Sequence, residues 1–260
     1  MTDDQAARGQ AVRRPSGVRE VFAYNWPSYL AGGLAVTTSW ALGRRLPRRP
    51  AALARAGALT ATGWLVSSTA ASWWVYDRSE LHSFGWLADL LPHGPGDHLV
   101  VSSGLDEASR PLAARYPGAA QSRADLYDPA LTTEGSIRRA RRRVPPIAGT
   151  RPARPERLPA PASSQDTVFL VFAAHELRQP ADREALFAEC ARTLRPGGTL
   201  ILVEHLRDAA NTAVYGPGAW HFLPRAEWLR LAGHARLRAT GERRIAAFVT
   251  AFAFSKAPQR

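Results

Sequence analysis

The sequence predicts an α/β fold with a mainly parallel sheet, preceded by two long apolar helices. Three observations support this fold class. Residues 166–205 read as a strand, a helix and a second strand in direct succession. Shorter apolar runs, separated by Gly and Pro turn signals, lie on both sides of that unit. The runs 26–43 and 56–76 contain no charged residue and are long enough to be helices of about 20 residues.

Length and composition bound the function classes. A chain of 260 residues holds one domain and an appendage. The net charge of +12 could indicate a nucleic acid or an anionic lipid, but Lys256 is the only lysine and arginine is spread along the chain. Because no zinc-finger spacing, recognition helix or aromatic-interleaved basic strand is present, we expect no nucleic-acid partner. The single Cys190 excludes an internal disulfide.

The first 80 residues divide into a polar segment, 1–20, and a helical hairpin, 21–80. We expect the polar segment to be disordered because it has no hydrophobic periodicity. Trp and Tyr lie near the ends of both uncharged runs, as they do at membrane interfaces, which predicts a transmembrane hairpin. A buried helical subdomain and an interfacial helix pair are the alternatives. The connection between the runs carries five arginines: Arg44, Arg45, Arg48, Arg49 and Arg55.

A connector, 81–98, leads into the domain that we place at residues 99–258, and we expect a helix within it. The domain begins with a short strand, 99–101, a turn, a helix over 108–116 and a strand, 119–124, that ends at Asp125. A basic helix is predicted over 131–144, with an acidic start and a basic end that suit the helix dipole. Its arginines form either a solvated face or a contact with phosphate headgroups. The Pro-rich and Arg-rich stretch 145–165 holds no convincing third strand.

The unit 166–205 places polar residues at two strand ends. Its strands, 167–173 and 199–203, flank a helix that starts near Asp182 and stops at the sequence LRPGG. Parallel strands joined by a crossover helix bind ligands beyond their carboxyl ends. We therefore expect the site near His175, Glu176, Glu204 and His205. After it follow a long aromatic loop, 206–224, a helix, 225–233, and a hairpin of strands 236–241 and 246–254.

A strand, a polar tip, a helix ending in LRPGG and a strand ending in an acid resemble the fourth and fifth strands of class I S-adenosylmethionine-dependent methyltransferases. The resemblance covers residues 99–255 and implies a Rossmann-like, seven-stranded sheet flanked by helices, with S-adenosylmethionine as cofactor. The three glycine positions of the family's cofactor loop fall on Ser102, Gly104 and Asp106, so that only the middle glycine is present. The resemblance also implies that Asp125 accepts hydrogen bonds from the cofactor ribose, and that Ala173 and Ala174 contact the cofactor.

Methyl transfer from a sulfonium needs alignment of the nucleophile and, for some acceptors, a base. His175, His221 and Glu204 are the candidate catalytic residues, with His221 or His175 as the base if the nucleophile is a hydroxyl. No HExxH motif or Cys cluster occurs, so we expect no metal. The aromatic residues Tyr215, Trp220 and Phe222 predict that the loop 206–224 forms the wall of an apolar acceptor pocket.

Three hypotheses follow. The first is a membrane-associated methyltransferase that acts on an apolar small molecule or a lipid-like or quinone-like acceptor. The second is a methyltransferase-like domain whose degraded cofactor loop leaves a non-catalytic, membrane-bound interaction protein. The third is an unrelated membrane-associated α/β protein. The positive-inside rule would place the arginine turn in the cytoplasm and both termini outside. Because the cofactor is cytoplasmic, we expect the cell membrane as location, with the domain on its cytoplasmic side. A hairpin that enters the bilayer without crossing it would satisfy both the positive-inside rule and the cytoplasmic location of the cofactor. The oligomeric state stays open.

Overall fold

The computed structural model describes residues 17–130, 132 and 134–258. Seven strands form one sheet in the order β3-β2-β1-β4-β5-β7-β6, in which β7 is antiparallel to both of its neighbours. The strands are β1 His98–Ser102, β2 Gln121–Asp125, β3 Arg151–Pro152, β4 Gln165–Val171, β5 Leu194–His205, β6 Leu237–Ile245 and β7 Val249–Lys256. The predicted seven-stranded, Rossmann-like sheet is thereby confirmed.

Seven α-helices accompany the sheet within the described residues. They are α1 Gly17–Gly43, α2 Arg48–Trp73, α3 Ser109–Arg115, α4 Gly135–Arg143, α5 Pro180–Thr193, α6 Ala209–Tyr215 and α7 Arg225–His234. The predicted helices of the 99–258 domain agree with these to within a few residues. Leu131 and Thr133, at the predicted start of the basic helix, lie outside the described residues.

Two hydrophobic clusters cover the two faces of the sheet. Alternate residues of a strand point to opposite faces, so Leu99 and Val101 join the cluster under α5 and α7 while Val100 joins the other. The second cluster is completed by the connector, whose Phe84 and Trp86 are buried. A helix is predicted there, but the structure has two 3₁₀ turns, Leu81–Ser83 and Gly85–Asp89, because Phe84 adopts a left-handed conformation between them.

Two further predictions about the domain are corrected. A third strand exists, but it is only the two-residue β3 at the sheet edge, where the Pro-rich sequence permits little pairing. The stretch 206–224 is not an irregular loop: it contains α6 and a 3₁₀ helix, Gly216–His221. The Asp208 carboxylate accepts a hydrogen bond from the Asn211 N–H and so caps α6.

The N-terminal segment forms the predicted helical hairpin, with α1 and α2 antiparallel. Residues 1–16 of the segment predicted to be disordered lie outside the described residues, and the prediction is wrong for 17–20, which begin α1. The Asp77 carboxylate fixes this start, because it accepts hydrogen bonds from the N–H groups of Gly17 and Val18 at 2.7 and 2.9 Å.

The prediction of two membrane spans is not supported. Among the described helices, none combines the length and the mean hydropathy that crossing a membrane requires. Ala, Gly, Ser and Thr make up much of both helices, and α2 begins within the arginine-rich turn, so the average hydropathy is low. The hairpin nevertheless leaves large apolar side chains on its surface, including Trp26, Leu30, Leu34, Leu53, Leu59 and Val66.

The hairpin packs on the carboxyl-end side of the sheet. The Ser67 hydroxyl of α2 donates a hydrogen bond to the Val214 carbonyl oxygen of α6 at 2.8 Å. A Cβ added to Gly216 would lie 2.5 Å from the Trp64 ring, so these two residues are in close contact. On the other side, the Arg139 guanidinium of α4 donates to the Tyr24 carbonyl oxygen of α1. The hairpin therefore borders both α4 and the segment that ends at His221.

Candidate functional site

The cofactor edge is built where β1 and β2 end side by side. Ser102 pairs with Asp125 in the strand register, and the turn that follows β1 contains Gly104 at a φ of +90°. The buried Asp125 carboxylate accepts hydrogen bonds through Oδ1 from the N–H groups of Gly104 and Tyr127, at 2.8 and 3.1 Å. The turn and the acid that the sequence singled out are thus held together, and only glycine adopts this φ without strain.

The other two predicted loop positions have local roles. The Ser102 hydroxyl donates to the Ala124 carbonyl oxygen at 3.3 Å. The Asp106 carboxylate accepts hydrogen bonds from the N–H groups of Ala108 and Ser109, so that it caps α3. Both residues border the cleft beside Gly104. Polar residues thus replace two family glycines where they stabilise the strand end and the helix start.

Helix α4 covers this cleft, which was not predicted. Arg141 Nη1 lies 2.5 Å from Asp125 Oδ2, the carboxylate oxygen opposite the one that accepts the two N–H hydrogen bonds. A Cβ added to Gly104 would meet the Ile137 side chain of α4 at 2.5 Å. The remaining cavity is about 60 Å³, whereas ligand pockets occupy roughly 300 to 1,000 Å³. A nucleoside cofactor therefore enters only if Arg141 and α4 move aside.

The acceptor edge lies where β4 and β5 end. Glu204, fully buried at the end of β5, accepts hydrogen bonds through Oε1 from the N–H groups of Ala174 and His175, at 3.2 and 3.3 Å. Its Oε2 accepts a hydrogen bond from His175 Nδ1 at 2.6 Å. Two predicted catalytic residues are therefore in direct contact. Ala173 and Ala174 are buried beneath them.

His221 and Glu176 complete a cluster around His175. The rings of His221 and His175 are edge to face with centroids 5.3 Å apart, and Glu176 Oε1 lies 3.2 Å from His175 Nε2. Arg178 Nη1 donates hydrogen bonds to the carbonyl oxygens of both histidines, each at 3.2 Å. The three predicted catalytic residues thus converge, although His221 is 46 residues from His175 along the chain.

The electrostatic environment differs among the three histidines of this edge. Burial by itself would lower the pKa of His175, but the carboxylates of Glu204 and Glu176 outweigh it and raise that pKa to about 10. Burial and the neighbouring His175 charge lower the pKa of His221. Burial lowers the pKa of His205 to about 4. The neighbouring carboxylates and burial thus shift the pKa values of His175 and His205 in opposite directions.

His205 is part of the core. Its ring stacks on Phe222 and Phe172 at centroid distances of 4.9 and 5.1 Å. Its Nδ1–H donates to the Phe248 carbonyl oxygen at 2.9 Å. Tyr215 and Phe222 of the predicted aromatic wall pack around this ring, while Trp220 is 74% exposed. Trp220 is therefore largely in solvent, whereas Tyr215 and Phe222 pack over the end of β5; that the three residues form the wall of an acceptor pocket stays a prediction.

A larger open groove, of about 510 Å³, lies between α5 and the connection from β3 to β4, lined by Arg157, Glu189 and Arg192 among others. It shares no residue with the cofactor edge or the acceptor edge. Its position away from the carboxyl ends of β4 and β5 separates it from the candidate chemistry.

Comparisons with known proteins agree with this geometry. Residues 100–202 match the profile of a methyltransferase domain family. Among solved structures, the pyocyanin biosynthetic protein PhzM is similar with a TM-score of 0.51 at 14% identity, over 92% of this chain and 70% of that chain. A methyltransferase from Methanosarcina mazei has a TM-score of 0.49 at 15% identity, over 67% and 98%. An O-methyltransferase family 2 protein from Planctomyces limnophilus, in complex with apigenin, has a TM-score of 0.46 at 16% identity, over 80% and 69%. No curated protein matches the chain by sequence.

The chain thus carries a methyltransferase domain with the Rossmann-like fold of that class. The matched domain supports an S-adenosylmethionine-dependent methyltransferase activity, with S-adenosylmethionine as the cofactor. The residues present fit this group: the left-handed Gly104 allows close approach, and Asp125 offers the carboxylate that ribose hydroxyls need. The resemblance seen in the sequence is confirmed, and the non-catalytic alternative is not favoured.

Proposed function

We propose that the protein methylates an apolar small molecule at the carboxyl ends of β4 and β5, beside the N-terminal hairpin. The observation that supports this best is the cluster of His175, Glu176, Glu204 and His221 at that edge. Polar groups converge there next to an otherwise apolar surrounding of Tyr76, Phe172, Tyr215 and Phe222. A few polar groups beside aromatic side chains suit an apolar molecule that carries one reactive polar atom.

The residues of the cluster have separate roles in this proposal. The cofactor supplies a methyl group on a sulfonium, whose departure needs no proton. The chain must therefore bind the acceptor, align it and, for a hydroxyl, provide a place for its proton. His175 and His221 face the acceptor oxygen. Glu204 is fully buried and holds three hydrogen-bond donors, so it acts as a positioning residue for His175.

Transfer of a labelled methyl group tests the class of acceptor. The purified chain is incubated with methyl-labelled S-adenosylmethionine and an organic extract of the source cells. We expect label in the organic phase, and a loss of at least tenfold in His221→Ala at unchanged melting temperature. His234→Ala is the matched control, because His234 is an exposed histidine on α7 that also lies near a glutamate. Label found only in protein or nucleic acid would contradict an apolar acceptor.

We propose further that the hairpin attaches the enzyme to the surface of an anionic membrane on the cytoplasmic side. Its exposed apolar side chains include Leu34, Leu53 and Val66, which are 59, 75 and 64% exposed. The exposed arginines of the turn between α1 and α2 lie at one end of this apolar surface. Apolar side chains beside a basic cluster suit the interface of a bilayer with anionic headgroups, and an acceptor dissolved in that bilayer would lie close to the cluster.

Vesicle flotation tests the attachment. We expect binding to vesicles with anionic lipid, weaker binding to zwitterionic vesicles, and release as salt rises, because the arginine contribution is screened. The double variant Arg44→Gln/Arg48→Gln should bind less, and Arg236→Gln/Arg238→Gln, which removes two exposed arginines near β6, should bind as the parent does. The proposal would be contradicted by a stable dimer that buries the hairpin and does not float with vesicles of either composition.

A further inference from the structure

We propose that His175, Glu176 and His221 bind a divalent transition-metal ion of the zinc class at the acceptor edge. The proposal rests on the proposed function in one respect only: the fourth ligand would be an oxygen of the acceptor. The two histidines would then hold the ion instead of taking the acceptor's proton. The three protein ligands come from the 3₁₀ turn after β4 and from the end of the 3₁₀ helix Gly216–His221.

The distances suit such an ion. One ligand atom from each of the three residues lies within 4.8 Å of the others, and His175 Nε2 and Glu176 Oε1 are 3.2 Å apart. With metal–ligand bonds of about 2.1 Å, two ligand atoms of tetrahedral zinc are roughly 3.4 Å apart. The His221 ligand atom, which lies within 4.8 Å of the other two, would move inward to complete the site. Two histidines and one glutamate form a three-ligand set of the kind that leaves a fourth position open for catalysis.

The second shell of a metal site is already built around His175. A metal-binding histidine commonly donates its other ring N–H to a carboxylate, which fixes the ring and its tautomer. His175 Nδ1 donates to Glu204, so its Nε2 is turned toward Glu176 and His221. Glu204 is itself fixed by two backbone N–H groups. A second carboxylate stands near the other histidine, because Glu134 Oε1 lies 3.8 Å from His221 Nδ1.

An independent observation is the unpartnered oxygen of Glu176. Its side chain is only 9% exposed, and within the described part of the chain its Oε2 is buried with no hydrogen-bond partner. Buried carboxylate oxygens rarely remain unpartnered, because they lose their hydration without compensation. A cation bound beside the carboxylate would provide that compensation. The contact with His175 does not, because it reaches Oε1 and leaves Oε2 without a partner.

Arg178 holds the two ligand-bearing segments together. Its Nη1 donates to the main-chain oxygens of His175 and His221, which fixes the distance between the two backbones. A metal site needs such support, because ligands must stay in place to bind an ion tightly. The Arg178 guanidinium therefore connects the two segments through hydrogen bonds to their main-chain oxygens.

Zinc titration of the metal-stripped, full-length chain tests the proposal. We expect one equivalent of Zn²⁺ to bind by calorimetry, and Co²⁺ to give the visible absorption of a tetrahedral ion. His175→Ala and His221→Ala should weaken zinc binding at least 100-fold. Glu204→Gln, which keeps an oxygen for the two N–H groups, should weaken it roughly 10- to 100-fold. His234→Ala is the control and should bind zinc as the parent does.

Several outcomes would overturn the proposal. One is a parent chain that binds no zinc; another is a folded His221→Ala or Glu204→Gln that binds zinc as tightly as the parent. Circular dichroism of each variant excludes unfolding as the cause of a loss. If the chain methylates an apolar acceptor but binds no zinc, the metal site is overturned and the proposed function stays intact. Zinc binding with no methylation of any apolar acceptor overturns the proposed function alone.

Discussion

The two halves of the functional edge differ in how their polar groups are satisfied. At the cofactor half, the Asp125 carboxylate is fully engaged by two N–H groups and by Arg141, and α4 closes the cleft. At the acceptor half, Glu204 is equally engaged, but Glu176 keeps a buried oxygen that has no hydrogen-bond partner among the residues that the structure describes. Side chains of the protein thus occupy the cofactor cleft, whereas a carboxylate oxygen of Glu176 stays available to a ligand at the acceptor half. Cofactor binding must displace Arg141 from Asp125. Binding of a cation at the acceptor half would instead give the buried Glu176 oxygen a partner.

The largest effect that probes this contrast is expected for Asp125→Ala. The variant removes a hydrogen-bonded carboxylate from the ribose site, worth about 1.5 to 3 kcal/mol, so calorimetry should show cofactor affinity falling roughly 10- to 150-fold. Asp128→Ala is the control, because Asp128 lies three residues further on and its carboxylate accepts a hydrogen bond from the nearby Ala130 N–H. Equal affinity of Asp125→Ala and the parent would show that the ribose binds elsewhere.

Gly216→Ala should break the contact between the hairpin and the acceptor half. Gly216 has a φ of +54° and a Cβ there would lie 2.5 Å from the Trp64 ring. Strain and overlap together should lower the free energy of unfolding by about 1 to 3 kcal/mol. Gly218→Ala is matched, because its Cβ would meet nothing closer than 3.9 Å. If thermal denaturation shows equal losses in both variants, the hairpin does not depend on this contact.

Glu107 gives the cofactor half a pH dependence of stability. Burial, together with the charges of Glu20 and Asp106, raises the pKa of Glu107 to about 7. Its ionisation then disfavours folding: the cost is absent below the unfolded pKa near 4.5, grows as pH rises through 7 and is complete above it. Glu107→Gln should therefore stabilise the protein by about 1 to 2 kcal/mol at pH 8 and by little at pH 5.

Denaturant titration at the two pH values measures this difference. Glu156→Gln is the control, because Glu156 is exposed in the connection between β3 and β4. A gain in Glu107→Gln that is the same at pH 5 and pH 8 would contradict the assignment of the pH dependence to this carboxyl group.

The smallest expected effect is that of Arg141→Gln. Removing the guanidinium frees Asp125 Oδ2 for the ribose, so cofactor affinity should rise by up to about fivefold, which corresponds to the roughly 0.2 to 1 kcal/mol of a partly exposed ion pair. Arg142→Gln changes the neighbouring exposed arginine of α4 and should have no effect. Weaker cofactor binding in Arg141→Gln would show that Arg141 contacts the cofactor and does not compete with it.

Elements whose signals are local can be predicted from the amino-acid sequence. The unit β4-α5-β5 follows from two apolar runs, a helical periodicity and a Pro-Gly-Gly stop, each set by neighbouring residues. The resemblance to the methyltransferase family pointed to the turn glycine Gly104 and the strand-end acid Asp125, and the structure places them in contact. Residues at the ends of adjacent parallel strands must lie close together, so His175 and Glu204 were also predicted to meet.

Only the tertiary structure decided how side chains from distant segments combine. Arg141 looked like one of several arginines on a solvated helix face, because nothing local shows that α4 lies over β1 and β2. The three-residue cluster of His175, Glu176 and His221 has no sequence motif, since its members come from two separate turns. A hydropathy pattern also does not show that the hairpin of α1 and α2 packs on α4 and α6. Local periodicity specifies which elements form, whereas long-range packing specifies which of their faces meet.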